Sequence, residues 1–219
     1  MLANDQIASA VMRGAVKSAR AYMKWTGGYT VHDHGVEGAI SQSIADSLFT
    51  EIKHREGKNG YVALELSFEE LKDFSLKELR RGRRRREFVG RPRIDVAVFN
   101  PAGRAIAVVE VKRQVQFSTS IVDIKRILSI LRELAKKRGS IKIGCVVGIR
   151  EQRKKSWKSV DMFISDFCKK VEDEFELLRC QGSKKYFNVP RAFLDDDDFK
   201  NVRGYHAVCF KLRLRNERS

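Results

Sequence analysis

Apolar residues recur every three or four positions in four stretches of the chain, and this spacing predicts four amphipathic helices. The stretches cover residues 4–25, 33–55, 120–139 and 156–178. The third is expected to start at Ser120-x-x-Asp123. Ser67-x-x-Glu70 has the form of a capping box and predicts a further short helix. Each long helix has one apolar face, so each must pack against another element.

Short apolar runs rich in β-branched residues lie between these helices and predict the strands of a sheet. They cover residues 61–67, 93–99, 105–112, 141–149 and 205–215. The turn at residues 100–103 joins the second and third runs into a hairpin. A hairpin followed by a crossover helix and another apolar strand implies a mixed sheet. We therefore expect an α/β fold with a central mixed β-sheet flanked by helices, in which the last strand extends the sheet edge or forms a small separate sheet.

The length and composition of the chain suit one sizeable core. It has 219 residues, 42% of them hydrophobic, and no stretch rich in Pro, Ser or Gly interrupts it. We expect an N-terminal helical extension over residues 1–30, a core over 31–150, and a C-terminal helix and strand over 151–219 that pack on that core. The three parts together are predicted to form one compact domain.

The hairpin carries three charged residues inside otherwise apolar strands: Asp95 on the first strand, and Glu110 and Lys112 on the second. Because side chains alternate across a strand, Glu110 and Lys112 project to the same face, and the hairpin returns them toward Asp95. Buried charges are costly unless they are paired or hold a metal. We expect Lys112 to pair with only one of the two carboxylates, which leaves the other for a metal.

This pattern resembles the PD-(D/E)XK superfamily of restriction-endonuclease-like nucleases, with Asp95 as the second acid of the motif and Glu110-Val111-Lys112 as its (D/E)-x-K. Residues 33–149 also follow the family's order of helix, strand, hairpin, helix and strand, so the resemblance implies a restriction-endonuclease-like αβββαβ core. Arg93, rather than proline, lies two residues before the acid, with Pro92 one position earlier.

The resemblance implies a metal-dependent nuclease with Mg²⁺ or Mn²⁺ as cofactor. Asp95, Glu110 and the backbone carbonyl of Val111 would hold the ion, and Lys112 would orient or deprotonate the attacking water. Many members add an acid from the first core helix, and Glu37 lies at that position. Glu37 is in line with the apolar residues of its helix and so points at the sheet; alternatively, it is an acid of the first helical turn, favoured there by the helix dipole.

Within the family, the exonuclease-like branch has Gln-x-x-x-Tyr after the lysine, which this chain lacks. An endonuclease is therefore the preferred interpretation. DNA is preferred over RNA as its substrate, and a homodimer is plausible for an enzyme that cuts both strands. The alternative for the motif is an i, i+2 ion pair on an exposed strand, with Asp95 as a cross-strand neighbour, which would carry no function.

The formal net charge of +16 points to a polyanionic partner, with nucleic acid as the first candidate. Residues 77–93 contain nine Lys or Arg and two Glu, and they lead directly into the strand that bears Asp95. We expect this segment to bind nucleic acid through its arginines: Arg80, Arg81, Arg83, Arg84, Arg85, Arg86, Arg91 and Arg93. Weaker candidates are two regularly spaced series: Arg13, Lys17, Arg20 and Lys24 at helical spacing, and Lys211, Arg213 and Arg215 alternating along the last strand. The alternative for each series is an ordinary solvated face.

The longest apolar runs are too short to span a membrane, and the first residues lack the pattern of a signal peptide. We therefore expect a cytoplasmic protein. The four cysteines are widely spaced and are predicted to be thiols rather than zinc ligands. His32, His34 and the acidic run at 195–198 are expected in solvated turns. Walker, Rossmann and Gly-x-Ser-x-Gly motifs are absent from the sequence. Two other functions stay open: a catalytically silent nucleic-acid-binding protein on a nuclease-like scaffold, and a basic assembly subunit.

Overall fold

The computed structural model describes residues 3–28, 37–56, 60–75, 93–136, 141, 143–154, 159–188 and 201–215. Over these residues the protein is α/β, with helices on both faces of a six-stranded mixed sheet, as predicted. The helices are α1 (Asn4–Trp25), α2 (Glu37–Glu56), α3 (Phe68–Ser75), α4 (Phe117–Lys136) and α5 (Val160–Glu174). The strands are β1 (Tyr61–Ser67), β2 (Arg93–Phe99), β3 (Ala105–Gln114), β4 (Ile143–Arg153), β5 (Leu178–Phe187) and β6 (Val202–Leu214).

The strands lie in the order β1-β2-β3-β4-β6-β5. Strands β3 and β4 are parallel and α4 connects them, whereas the other neighbouring pairs are antiparallel. Placing the last strand at the sheet edge or in a separate sheet was wrong, because β6 pairs with β4 on one side and β5 on the other. Strand β5 was not predicted, and the helix before it ends at Glu174 rather than near residue 178. The division of the chain at residues 30 and 150 stays a prediction.

Each face of the sheet has its own apolar core. On one face α1 and α2 bury the predicted stripes against residues such as Val96, Val109 and Val147. On the other, α4 and α5 pack on residues such as Val108, Val146 and Phe210. The central strands are therefore covered on both sides, which explains why they read as continuous apolar runs rather than as alternating ones. A charged residue inside such a run has little access to water.

Gly14 sets the closest approach of α1 to α2. A Cβ atom at this position would lie 2.5 Å from Ile44 Cα and 2.6 Å from Ser43 O, both of them backbone atoms. A Gly14→Ala change gains up to about 1 kcal/mol of helix propensity. It also forces the two helices apart, at roughly 1–3 kcal/mol for overpacking.

We expect Gly14→Ala to destabilise the protein despite its better helix propensity, and denaturant unfolding followed by circular dichroism measures the change. The matched control is Lys17→Ala on the exposed side of α1, where only a 3.8 Å ion pair to Asp46 is lost. Its expected change is within about 0.5 kcal/mol. Equal stability of Gly14→Ala and the wild type would contradict the close packing.

Of the two helix starts predicted from short motifs, that of α3 is confirmed and that of α4 was wrong. The predicted capping box is present, since Ser67 N–H donates to Glu70 Oε2 at 2.9 Å and Glu70 N–H donates to Ser67 Oγ at 3.2 Å. The helix start predicted at Ser120-x-x-Asp123 was wrong, because α4 already begins at Phe117 and Ser120 is buried within it. Among the described residues, no helix is both long and apolar enough to cross a membrane.

Candidate active site

Asp95 lies where the pairing between β2 and β3 ends. Val96 of β2 and Val109 of β3 are the last paired residues toward this end of the hairpin. Beyond that point the Val111 N–H donates to Asp95 Oδ2 at 2.6 Å, so the carboxylate takes the place of a backbone acceptor. The structure thus shows Val111 in contact with Asp95 through its N–H, and a metal-binding role for its carbonyl stays a prediction.

The edge strand is distorted beside Asp95. In the register of β1 with β2, Leu64 pairs with Val96 and Leu66 with Ile94, which leaves Glu65 at the level of Asp95. Glu65 has a φ of 56°, in the left-handed region that non-glycine residues rarely adopt. Such conformations cost of order 1–3 kcal/mol and are concentrated at functional sites. The outlier therefore marks the end of β2 as a candidate site independently of the charges there.

Glu110 and Lys112 project to the same face of β3, as predicted, and both bind residues of α4. Glu110 is only 2% exposed, and its Oε1 accepts a hydrogen bond from Arg126 Nη1 at 2.7 Å. Lys112 Nζ lies 2.9 Å from Asp123 Oδ2. The expectation that Lys112 pairs with Asp95 or Glu110 was therefore wrong. The alternative of an exposed i, i+2 ion pair is also wrong, because Glu110 is buried and each residue has its own partner.

Sequence reasoning missed Asp123 and Arg126. Asp123 was assigned to a helix start, yet it lies inside α4 and is buried. A signal was present, since Ser120, Asp123, Ile127, Ile130 and Leu134 follow helical spacing and all are buried. A carboxylate on such a stripe requires a cation. Lys125, in contrast, is exposed.

Glu37, in the first turn of α2, reaches the same end of the sheet. Its Oε1 accepts a hydrogen bond from the Arg113 N–H at 3.3 Å, one residue after Lys112. This contact agrees with an orientation toward the sheet, and the residue also occupies the first helical turn. The charge of Glu37 acts on the pKa of both Asp95 and Lys112. The structure thus brings Glu37 to the rim of the site, and its role as a metal ligand stays a prediction.

The two strand carboxyls are held in an unfavourable environment for negative charge. Burial, followed by the charge of Asp95, raises the pKa of Glu110 to about 8, although Arg126 opposes the shift. Burial also raises the pKa of Asp95, against hydrogen bonds from the Val111 N–H and from Glu110, which lower it. Each carboxyl therefore ionises less readily than an exposed acid, because it is partly removed from water and lies beside a second acid.

Lys112 remains a cation in this environment. Burial lowers its pKa, but the hydrogen bond and charge of Asp123, with the charges of Glu37 and Glu110, outweigh burial and raise the pKa above its ordinary value. The ammonium group is therefore protonated at neutral pH. It can donate hydrogen bonds and stabilise negative charge, but it is a poor proton acceptor.

The raised pKa of Glu110 predicts how stability depends on pH in the presence of a chelator. The folded protein binds this proton more tightly than the unfolded chain does, for which the ordinary pKa is 4.5. The stabilisation is therefore complete below pH 4.5 and is lost as the pH rises through about 8. Relative to Glu110→Gln, the wild type should lose up to about 4 kcal/mol of unfolding free energy between these limits. Denaturant unfolding in EDTA measures this loss, and parallel pH curves for the two proteins would contradict it.

Asp95 and Glu110 suit a magnesium ion only if the ion takes its remaining ligands from water or substrate. Among the residues that the structure describes, no group of three or more His, Cys, Asp or Glu side chains could hold a metal ion by itself. Mg²⁺ often binds through one or two carboxylates and takes its remaining ligands from water and substrate phosphates. Asp95 and Glu110 supply two carboxylates in mutual contact, and their repulsion would be relieved by a divalent cation. The residues present fit such an ion.

Of the basic segment at residues 77–93, only Arg93 lies within the described residues. Of the arginines expected to bind nucleic acid, Arg80 to Arg86 and Arg91 lie outside the described residues, as do His32, His34 and the acidic run at 195–198. Arg93 is described and exposed, and its carbonyl accepts a hydrogen bond from Arg126 Nη1 at 3.1 Å. The arginine segment therefore ends at Arg93, two residues before Asp95 in the sequence.

Three residues of the two weaker basic series bind acids of neighbouring elements. Lys211 fits neither a nucleic-acid surface nor a solvated face, because it is 5% exposed and pairs with Asp5 of α1 at 2.5 Å. On α1, Arg13 pairs with Glu51 of α2 at 2.6 Å, and Lys17 lies 3.8 Å from Asp46. These residues help to join α1 to its neighbours, so they contribute less to a nucleic-acid surface than their spacing indicated.

Comparison with known proteins gives no match: no protein-family model, no curated protein and no solved structure matches the chain.

Proposed function

We propose that this protein is a metal-dependent nuclease of the PD-(D/E)XK type, which hydrolyses phosphodiester bonds of nucleic acid and prefers DNA. The observation that carries the proposal is the placement of the buried Glu110, the half-buried Asp95 and the ammonium group of Lys112 together at one end of the central strands. Removing acids from water costs stability even when they are paired, so the presence of two acids together favours a function.

The order of elements supports the same assignment. Helix α2, strands β1, β2 and β3, helix α4 and strand β4 follow the αβββαβ order of a restriction-endonuclease-like core, with the short helix α3 as an addition between β1 and β2. The acids lie on the hairpin β2–β3, and the acid of the first core helix, Glu37, reaches the same end of the sheet. The net charge of +16 suits a polyanionic substrate.

Each residue of the site has a chemical task in this proposal. Asp95 and Glu110 would hold a divalent ion, with the Val111 carbonyl as a further ligand, and the ion when bound lowers the pKa of water and screens the phosphate charge. Lys112, held by Asp123, donates hydrogen bonds to the phosphate oxygens as negative charge develops. Because Lys112 is protonated, this role suits it better than removal of a proton from water. Arg93 and the arginine segment before it would bind the substrate backbone.

A second candidate function is binding of nucleic acid without cleavage, on the same scaffold. One observation favours it: Arg126 already neutralises Glu110 without any metal. In that case the basic segment would act alone, and binding would be independent of divalent ions.

The test is incubation of the purified protein with supercoiled, linear and single-stranded DNA and with RNA, each in Mg²⁺, in Mn²⁺ and in EDTA. The proposal predicts cutting of at least one substrate in the metals and none in EDTA, and the substrate that is cut names the class. Salt-sensitive binding of all substrates without any cutting would support the second candidate instead.

A further inference from the structure

Two residues of α4 bridge the acid and the lysine of β3. Arg126 Nη1 donates to Glu110 Oε1 at 2.7 Å, and its Nη2 lies 3.5 Å from Asp123 Oδ1. The other oxygen of Asp123, Oδ2, lies 2.9 Å from Lys112 Nζ. Four alternating charges therefore form one chain, Glu110–Arg126–Asp123–Lys112, of which only the two ends have a task in the proposed function.

Packing of α4 does not explain this chain. The helix already buries Ile124, Ile127 and Ile130 against the sheet. Replacing buried ion pairs by apolar residues of similar size is often neutral or stabilising, so the bridge is not the most stable way to attach the helix. It does fix geometry, because Arg126 Nη1 also donates to the Arg93 carbonyl at 3.1 Å. The guanidinium is thereby tied to β2 and β3, the two strands that carry the acids.

We propose that Arg126 and Asp123 are positioning residues of the site: Arg126 fixes the Glu110 carboxylate through Oε1 and leaves its other oxygen to a divalent ion, while Asp123 fixes the Lys112 ammonium. This inference rests on the proposed function. The planar guanidinium suits the task, because its separate nitrogens bind Glu110 and Asp123 at the same time. Partners that orient the ligands of a metal typically contribute 10–100-fold to metal affinity or activity.

The test is calorimetric titration of the full chain with Mn²⁺. Arg126→Gln is expected to weaken Mn²⁺ binding by about 10–100-fold. Arg126→Lys keeps the charge but supplies only one nitrogen, so it should recover part of the loss. Asp123→Asn should lower kcat with little change in KM and weaken Mn²⁺ binding less than Arg126→Gln does, because it releases Lys112 and removes only one of the contacts of Arg126. The matched control is Arg132→Gln, an exposed arginine of the same helix, which should bind Mn²⁺ like the wild type.

A double variant separates positioning from a general loss of structure. If Arg126 acts through Glu110, Glu110→Gln with Arg126→Gln binds Mn²⁺ no more weakly than Glu110→Gln alone. Additive losses would overturn the inference. If Arg126→Gln does not fold, the comparison of Arg126→Lys with the wild type decides: weaker binding supports the inference and equal binding overturns it.

The failure of this inference can be told from the failure of the proposed function. If Arg126→Gln binds Mn²⁺ as tightly as the wild type, or more tightly, while Glu110→Gln binds it more weakly, the positioning role is wrong and the metal site stands. If the wild type does not bind Mn²⁺, or Glu110→Gln binds it equally well, the metal site is wrong, and the inference falls with it.

Discussion

Glu110→Gln is expected to slow nucleic acid cleavage by about 10³-fold, since a metal ion contributes several kcal/mol of transition-state stabilisation and each 1.4 kcal/mol is about tenfold in rate. The substitution keeps the shape of the side chain and removes the charge that would hold the ion. Affinity for the substrate measured in EDTA should be unchanged, because the basic segment before Arg93 is intact. Cleavage rates at saturating substrate and fluorescence anisotropy measure the two quantities.

The matched control is Glu51→Gln on α2. Glu51 also binds an arginine, Arg13, at 2.6 Å, but it lies 14 residues along α2 from Glu37, or about 21 Å at the helical rise. This variant should cleave at the wild-type rate. Equal cleavage by Glu110→Gln and Glu51→Gln would remove Glu110 from the active site.

Lys112→Met is expected to lower kcat by about 10²–10³-fold, the usual effect of removing one donor that stabilises transition-state charge. Methionine approximates the length of the stem but cannot donate to a phosphate. Since Glu110 and Asp95 remain, Mn²⁺ binding should persist in this variant. Cleavage kinetics and calorimetry together measure loss of rate without loss of metal.

The control for Lys112→Met is Lys125→Met, which removes an exposed lysine of α4 two residues after Asp123. Its effect on kcat should be less than about threefold, as expected for a surface charge outside the site. A Lys112→Met protein that cleaves like Lys125→Met would show that the lysine only balances Asp123.

Local patterns predicted the parts of this molecule that local forces determine. The stripes of α1 and α4, the hairpin β2–β3 and the capping box at Ser67 depend on residues a few positions apart, and all are present. The common face of Glu110 and Lys112 follows from strand alternation alone. The sequence therefore predicted the site residues that lie on the β2–β3 hairpin, Asp95, Glu110 and Lys112.

The partners of these residues depend on the tertiary fold. Asp123 lies 11 residues after Lys112 in the chain and meets it only when α4 packs back on the sheet. Lys211 is buried because β6 lies between β4 and β5, and its partner Asp5 is 206 residues away. Strand β5 was missed because it is an edge strand rich in polar residues and half of its positions are exposed, so it lacks the apolar alternation that marks a half-buried strand.

The decisive measurement is the initial rate of DNA cleavage in Mg²⁺ by the wild type and by the triple variant Asp95→Asn, Glu110→Gln and Lys112→Met, purified in the same way. We expect cleavage by the wild type that stops in EDTA and none by the triple variant. Equal rates for the two proteins would contradict it, because the cutting would then arise outside the hairpin site.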